Sequence, residues 1–430
     1  MKIVVAQLLL FVVSISVSLS QSKLIENKLF ELPDVIFKEI SSYEKDATAY
    51  ELKIKQPIDH TNPDKGFFYQ RAFLSHKGFE NPTVLVTEGY TCVGNWPTEV
   101  TSLINANQLA VEHRYFGESM PDTVNYNYLN LEQATADLHH INQLFRGIYK
   151  NAWVSTGISK GGATSIYYKY FYPDDVDVSI PYVAPINVEF EDQRIYDFLD
   201  TIGSSECRDK IYLLQIRWLK NRSEILPLLK FYSMGAKLKF NYLALEEAFE
   251  YAVLEYPFSF FQWGYDCDDI PTDNASVRTI VDYLINVSGF DLFSDRSIEA
   301  FGSHYYQSAH QMGYYGYEVD KFDGLLKSIS ADANPHATFL PNKMTVEFDG
   351  SLLDDINSWI YENGHDIIYI YGAKDTWSAS AVRPSNNVNA LWFFMEGKSH
   401  GDARIRNMST DEREQLIQAL EQRLQIKIPR

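Results

Sequence analysis

The segment Gly157-Ile158-Ser159-Lys160-Gly161 constrains the fold of this chain more than any other run of residues. It fits Gly-x-Ser-x-Gly and lies between elements of different period. Trp153-Val154-Ser155-Thr156 before it reads as a strand, and Gly161 to Phe171 after it reads as a helix that stops before Pro173. A strand that turns directly into a helix leaves the Ser on a sharp, strained corner, and small flanking residues let strand and helix approach. Gly162 adds further room. The backbone N–H of Lys160, near the helix start, would point into a site for developing negative charge. A glycine-rich turn with an exposed Ser would show the same five residues; the strand before and the helix after favour a nucleophile.

The surrounding chain has a matching rhythm. Ala49 to Ile54, Phe67 to Leu74, Thr83 to Thr87 and Gln108 to Glu112 read as strands, with the Asp59-His60-Thr61-Asn62-Pro63 cluster as a turn. Asn130 offers a cap to a helix with apolar residues at Ala134, Leu138, Ile141 and Phe145. Val176 to Val183 is a further strand. Strands alternating with helices indicate a parallel, doubly wound sheet. Residues 190–340 break the rhythm: they are mainly helical and aromatic, as in Lys210 to Leu219, Tyr242 to Leu254 and the dense Tyr305 to Tyr315 stretch. The α/β rhythm returns at Asp366 to Tyr371 and Ala390 to Met395, and a helix from Thr410 to Leu424 closes the chain. The fold predicted is therefore α/β-hydrolase: a mostly parallel doubly wound sheet formed by 21–189 and 341–430, with an inserted helical lid domain at 190–340.

A Ser hydroxyl is a poor nucleophile until a base takes its proton. This fold orders its triad Ser, acid, His. Asp375 follows the strand ending at Gly372, and His400 follows the strand ending near Met395. Both sit at C-terminal strand ends, where such sheets place their sites. Of the ten His, His304, His310 and His336 precede Asp375 and fall in the insertion. His365 lies before its strand, and His139 and His140 lie on a helix. Only His400 has both the order and the edge. A second oxyanion donor is expected from Thr87-Glu88-Gly89-Tyr90-Thr91, through the N–H of Tyr90 or Gly89. Glu88 reads first as a hydrogen-bond acceptor behind the site, and second as a carboxylate for a substrate's amino terminus.

The net charge of −19, with no Lys/Arg-rich run, argues against nucleic acid. Lys2, the apolar Ile3 to Val17 and the small Ser18 and Ser20 read as a cleaved export signal over residues 1–20. The segment is short for a membrane span, and a serine-rich rather than basic flank follows it. Secretion, or residence in a periplasm, without stable membrane insertion is expected. No Cys/His spacing resembles a zinc site, so neither metal nor cofactor is expected. The three cysteines, Cys92, Cys207 and Cys267, allow three pairings. Cys207 and Cys267 share the insertion, whereas Cys92 lies by the oxyanion loop, so the first two are the expected disulfide.

Several segments carry a further likeness. They are Asp59 to Pro63 followed by Tyr69-Gln70-Arg71, then Glu112-His113-Arg114-Tyr115-Phe116-Gly117-Glu118-Ser119 with Pro121, and Leu131-Glu132-Gln133-Ala134. The Ser159-Lys160-Gly161-Gly162 elbow, Gly372 to Ser378 and Ser399-His400-Gly401 complete the set. Together they resemble the secreted bacterial prolyl tri- and tetrapeptidyl aminopeptidases, a serine peptidase family related to prolyl carboxypeptidase and dipeptidyl peptidase II. The likeness spans residues 45–190 and 365–405 and is weak across the lid. The related enzymes usually have Tyr where this chain has Lys160, and Thr376 stands where the family usually has Pro. The resemblance implies an exopeptidase that cuts peptides after proline near a free amino terminus. An aromatic slot suits a compact prolyl ring without an N–H; Trp377, Tyr314 and Tyr315 are candidates. Glu88 and the lid acids Asp266, Asp268, Asp269, Glu318 and Asp320 are candidates for holding the ammonium. A carboxylesterase or lipase of the same fold is the alternative enzyme. A catalytically inactive binding protein is the alternative class, and the intact order Ser159, Asp375, His400 speaks against it.

Overall fold

The computed structural model describes residues 23–329 and 334–430; the expected export signal, residues 1–20, lies outside them. Among the described residues nine strands form one sheet: β1 (Val35–Ile40), β2 (Thr48–Pro57), β3 (Phe67–His76), β4 (Thr83–Thr87), β5 (Asn107–Val111), β6 (Trp153–Ile158), β7 (Val178–Tyr182), β8 (Ile368–Gly372) and β9 (Leu391–Met395). Their order is β1-β2-β3-β5-β4-β6-β7-β8-β9. The first three strands and the β3–β5 pair are antiparallel; from β5 to β9 every pairing is parallel. Every residue of β4, β5, β7 and β8 is buried, the pattern of parallel strands covered on both faces. The chain leaves β4 for β5 on one side and then crosses to β6 on the other. The C-terminal ends of β4 and β6 therefore flank the switch point, where open α/β sheets bind ligands. This is the α/β-hydrolase fold.

Helices cover both faces. On one side pack α1 (Leu131–Arg146) and α2 (Lys160–Phe171). Leu138, Ile141 and Phe145 of α1 join Leu85, Leu109 and Trp153 in one core. The expected cap is present: the Asn130 side chain accepts from Gln133 N. The insertion lies between β7 and β8. It holds α3 (Gln193–Thr201), α4 (Ser205–Lys220), α5 (Arg222–Ala236), α6 (Leu245–Gln262), α7 (Val277–Val287) and α8 (Asp295–Gln307), the last continued by a widened π-helical turn at Ser308–Met312. These helices bury a core of their own around Trp218, Phe249, Tyr256, Phe260, Ile280 and Phe290. The chain then returns through α9 (Ser351–Asn363). At the end, α10 (Thr410–Leu424) buries Leu416, Ile417 and Leu420 against Val84, Val154, Ile180 and Ile370. No helix among the described residues is long and apolar enough to cross a membrane.

Helix α6 departs from the expected Tyr242 to Leu254. It starts at Leu245, where the Glu247 carboxylate accepts from Ala244 N at 2.6 Å, and it runs on through Pro257 to Gln262. A proline inside a helix leaves the carbonyl four residues earlier without its N–H. Here that carbonyl, Val253 O, accepts from the Gln215 side chain at 2.8 Å, so the helix survives. Cys207 on α4 is bridged to Cys267 beyond α6, and Cys92 is a free, buried thiol. A bridge closing a 60-residue loop stabilises by about 4 kcal/mol in the chain-entropy model. Urea unfolding of Cys267→Ser should therefore start from a stability lower by that order. Reductant should weaken the wild type and leave the variant unchanged; equal unfolding curves would rule the bridge out.

Candidate active site

Ser159 sits between β6 and α2 with φ 58° and ψ −125°, a backbone geometry that side-chain-bearing residues rarely adopt. Hydrogen bonds hold it there: Ser159 N donates to Tyr182 O and Ala163 N to Ser159 O, both at 2.9 Å. The corner closes only because Gly157 and Gly161 lack side chains. A Cβ on Gly157 would collide with the Gly161 carbonyl, and one on Gly161 would stand 2.6 Å from Thr87 O. The Thr87 hydroxyl adds bonds to Thr156 O (3.1 Å) and Gly161 O (2.9 Å), tying the end of β4 to the elbow.

Asp375 is fully buried just beyond β8. Its Oδ1 accepts from Trp377 N at 3.1 Å, and its Oδ2 is 2.7 Å from His400 Nδ1. With Nδ1 committed to the carboxylate, His400 presents Nε2 as its basic nitrogen. Lys374 N donates to Lys398 O at 2.9 Å, which joins the Asp375 loop to the His400 loop. Two more bonds come from the end of α6: His400 N donates to Gln262 O, and the Thr376 hydroxyl to Phe258 O, both at 2.9 Å. Trp263, half of it exposed, stands edge-on to His400 at 5.9 Å.

Past β4, Gly89 lies against the elbow, where a Cβ would be 2.7 Å from both Gly161 N and Lys160 Cβ. The Lys160 side chain is buried and its Nζ donates to Gly89 O at 2.6 Å. Glu88 is partly buried; burial, with Glu112 nearby, pushes its carboxyl up to about 7. Glu112 itself is fully buried and holds this loop: it accepts from Cys92 N (3.0 Å), Ser119 N (3.0 Å) and Arg71 Nη2 (2.5 Å). Arg114 and Asp137 form a buried ion pair at 2.6 Å that His60 joins at 2.7 Å. Burial would raise the Asp137 carboxyl, but Arg114 and His60 beside it together outweigh that and hold it below the usual range.

An aromatic layer runs from the loop after β4 to the Asp375 loop. Tyr90 meets Phe116, Phe301 and His304; His304 meets Tyr314, and Tyr314 meets Trp377, with centroids 5.1–5.7 Å apart. Tyr314 is half-buried, whereas Trp377 and Tyr315 are buried against Phe258, with Tyr315 stacked on it at 3.9 Å. Of the lid acids, Asp268, Asp269 and Asp320 are exposed, Asp266 lies 3.9 Å from Lys374, and Glu318 pairs with Lys321 at 2.6 Å. The structure adds an acid that sequence reading missed. Glu255, one residue past the expected end of α6, is buried and accepts from Ser259 Oγ (2.7 Å) and the hydroxyls of Tyr315 and Tyr317 (2.8 Å each). Its one signal in the sequence is a lone acid in the apolar run Ala252 to Phe261.

The model of the PS-10 peptidase S37 family matches residues 20–418. This chain belongs to that family. It is 30% identical over 400 residues to the prolyl tri/tetrapeptidyl aminopeptidase of Streptomyces mobaraensis, covering 90% of this chain and 82% of that protein. A shorter match, 31% identical over 105 residues, is to lysosomal Pro-X carboxypeptidase of Homo sapiens, covering 22% of this chain and 21% of that protein. Among solved structures, proline iminopeptidase of Mycobacterium smegmatis aligns over 87% of this chain and 99% of its own at 12% identity, with a TM-score of 0.40. The protein is a serine peptidase of a proline-specific family.

In this S37 peptidase, burial pushes the Glu255 carboxyl up to about 7, against the three hydroxyl donors, which pull it down. A folded-state value above the unfolded one stabilises fully below the unfolded pKa, and that contribution is lost as pH rises through about 7. The whole effect is on the order of 3 kcal/mol. Glu255→Gln offers an uncharged group of the same shape. Its melting temperature should match the wild type near pH 5 and exceed it near pH 8. Parallel melting curves across that range would show that Glu255 carries no such strain.

Proposed function

We propose that this peptidase is an exported exopeptidase that cuts after proline near a free amino terminus and releases short peptides. Ser159 attacks the prolyl carbonyl as His400 Nε2 takes its proton, and Asp375 orients the imidazole and stabilises its charged form. The proton then passes to the leaving amine, and water repeats the cycle on the acyl-enzyme. The N–H groups of Lys160 and Tyr90 receive the oxyanion. The observation that carries this reading is the buried Asp375–His400 bond at the same sheet edge as the strained Ser159. The likeness to a prolyl tri/tetrapeptidyl aminopeptidase supports the specificity. The helical insertion acts as the lid. The half-buried Tyr90 and Tyr314 form the walls of the prolyl slot, with Trp377 and Tyr315 packed behind them. Glu88, within the loop after β4, is one candidate for holding the amino terminus.

Purified Ser159→Ala should fold normally and lose turnover by on the order of 10⁶, His400→Ala comparably, and Asp375→Ala somewhat less. Near-normal activity in Ser159→Ala would sink the mechanism.

Specificity is read with matched peptides carrying Pro or Ala before the scissile bond, each with a free or acetylated amino terminus. The free prolyl peptide should be cut far faster than the other three. Equal cleavage of blocked and free peptides would make the enzyme an endopeptidase. Indifference to proline, with rapid nitrophenyl ester hydrolysis, would make it an esterase.

A further inference from the structure

We propose that the Lys160 side chain is a positioning residue for the oxyanion site: by holding the Gly89 carbonyl it fixes the direction of the Tyr90 N–H. This rests on Ser159 being the nucleophile, and it gives a role to a side chain that the catalytic cycle above does not use.

A buried lysine is an expensive way to fill space, because an amine out of water needs partners and an apolar side chain of the same length needs none. Lys160 is only 3% exposed. Its Nζ lies over the rings of Tyr90 and Phe116, at 5.4 and 4.9 Å from their centroids, and its hydrogen bond runs to Gly89 O at 2.6 Å. Burial holds its pKa well below the usual lysine range, and the amine donates to a carbonyl in either protonation state.

The peptide it grips is the one that matters. Around it the backbone is already tied: Glu88 N donates to Val111 O, and Tyr90 O accepts from His113 N. The Gly89–Tyr90 unit between these ties is trans, so its C=O and N–H point in opposite directions. With the oxygen held at Lys160 Nζ, the N–H faces away from the amine. Gly89 has no Cβ, so rotation of this peptide meets little steric resistance of its own. A flip would turn the carbonyl oxygen toward the developing negative charge and replace attraction with repulsion. Lys160 thus serves the site twice: its own N–H opens α2 as one candidate donor, and its side chain orients the other.

Lys160→Met keeps the length and removes the donor. It should lower kcat by about 10- to 100-fold, part of what loss of one oxyanion donor costs, with KM within about threefold. The rate at which a fluorophosphonate labels Ser159 should fall in parallel with kcat, because the phosphonyl oxygen uses the same donors. Lys160→Arg, which can still donate to Gly89 O, should lie between wild type and Met in both rates. A kcat within threefold of wild type in Lys160→Met, a loss confined to KM, or an Arg variant no better than Met would overturn the inference. The labelling arm separates this from the substrate reading. A wild type that takes the phosphonate at Ser159 but cuts no prolyl peptide overturns the substrate reading and leaves the Lys160 comparison intact. A wild type unlabelled at Ser159 overturns both.

Discussion

Everything at this site depends on how closely three backbone segments meet at the switch point of the sheet. The end of β4, the elbow after β6 and the first turn of α2 approach to distances that leave no room for a Cβ on Gly157, Gly161 or Gly89. That contact forces Ser159 into its positive-φ corner and brings the Gly89–Tyr90 peptide beside the start of α2. A strained residue persists only where its surroundings over-determine it. Here the Thr87 hydroxyl bonds and the Ser159–Tyr182 bond supply that constraint.

The loops of the candidate site have little regular structure of their own, and buried charge stands in for it. Glu112 satisfies three backbone donors from two loops while paired to Arg71. Arg114 links Asp137 to the Tyr128 carbonyl at 2.7 Å. Such pairs contribute little compared with a well-packed apolar replacement, yet removing one partner leaves a buried charge that costs about 3–5 kcal/mol. They therefore fix loop conformation more than they add stability. The Asp59 to Pro63 and Glu112 to Ser119 motifs, on which the resemblance rested, belong largely to this framework: Ser119 donates to Glu112, Arg114 donates to Ile58 O, and His60 shares Asp137 with Arg114.

The strands of the parallel sheet were legible because they are short, apolar runs bounded by turn residues, and Thr83–Thr87 and the final helix Thr410–Leu424 match residue for residue. Strand β1 was not, since it is a half-exposed edge whose residues show no clear alternation. The end of α6 was hidden because the partner that rescues Pro257, Gln215, lies 42 positions away in the chain and on another helix. At the candidate site, order and strand ends made legible where Ser159, Asp375 and His400 lie and that Asp375 meets His400. Burial of Trp377 and Tyr315 was not, because an aromatic that lines a slot and one that packs behind it look alike in sequence. Glu255 and the Lys160 side chain depend on tertiary burial, which no local pattern reports.

The helical insertion also supports the candidate site. A helix end leaves its last four carbonyls without intrahelical donors. At the end of α6, Ser259, Phe260 and Phe261 are satisfied locally by Trp263, Tyr265 and Gly264. The fourth, Gln262 O, is satisfied by the backbone N–H of His400, and one residue before this group Phe258 O takes the Thr376 hydroxyl. The His400 loop and the Asp375 loop are thus each moored to one helix of the insertion. That helix is held in turn by Gln215 at its proline, by Glu255 beneath Tyr315 and Tyr317, and near its end by the Cys207–Cys267 bridge. Position of the imidazole therefore depends on packing far outside the cleft. A change within the insertion can therefore shift His400 through the Gln262–His400 bond without touching the cleft.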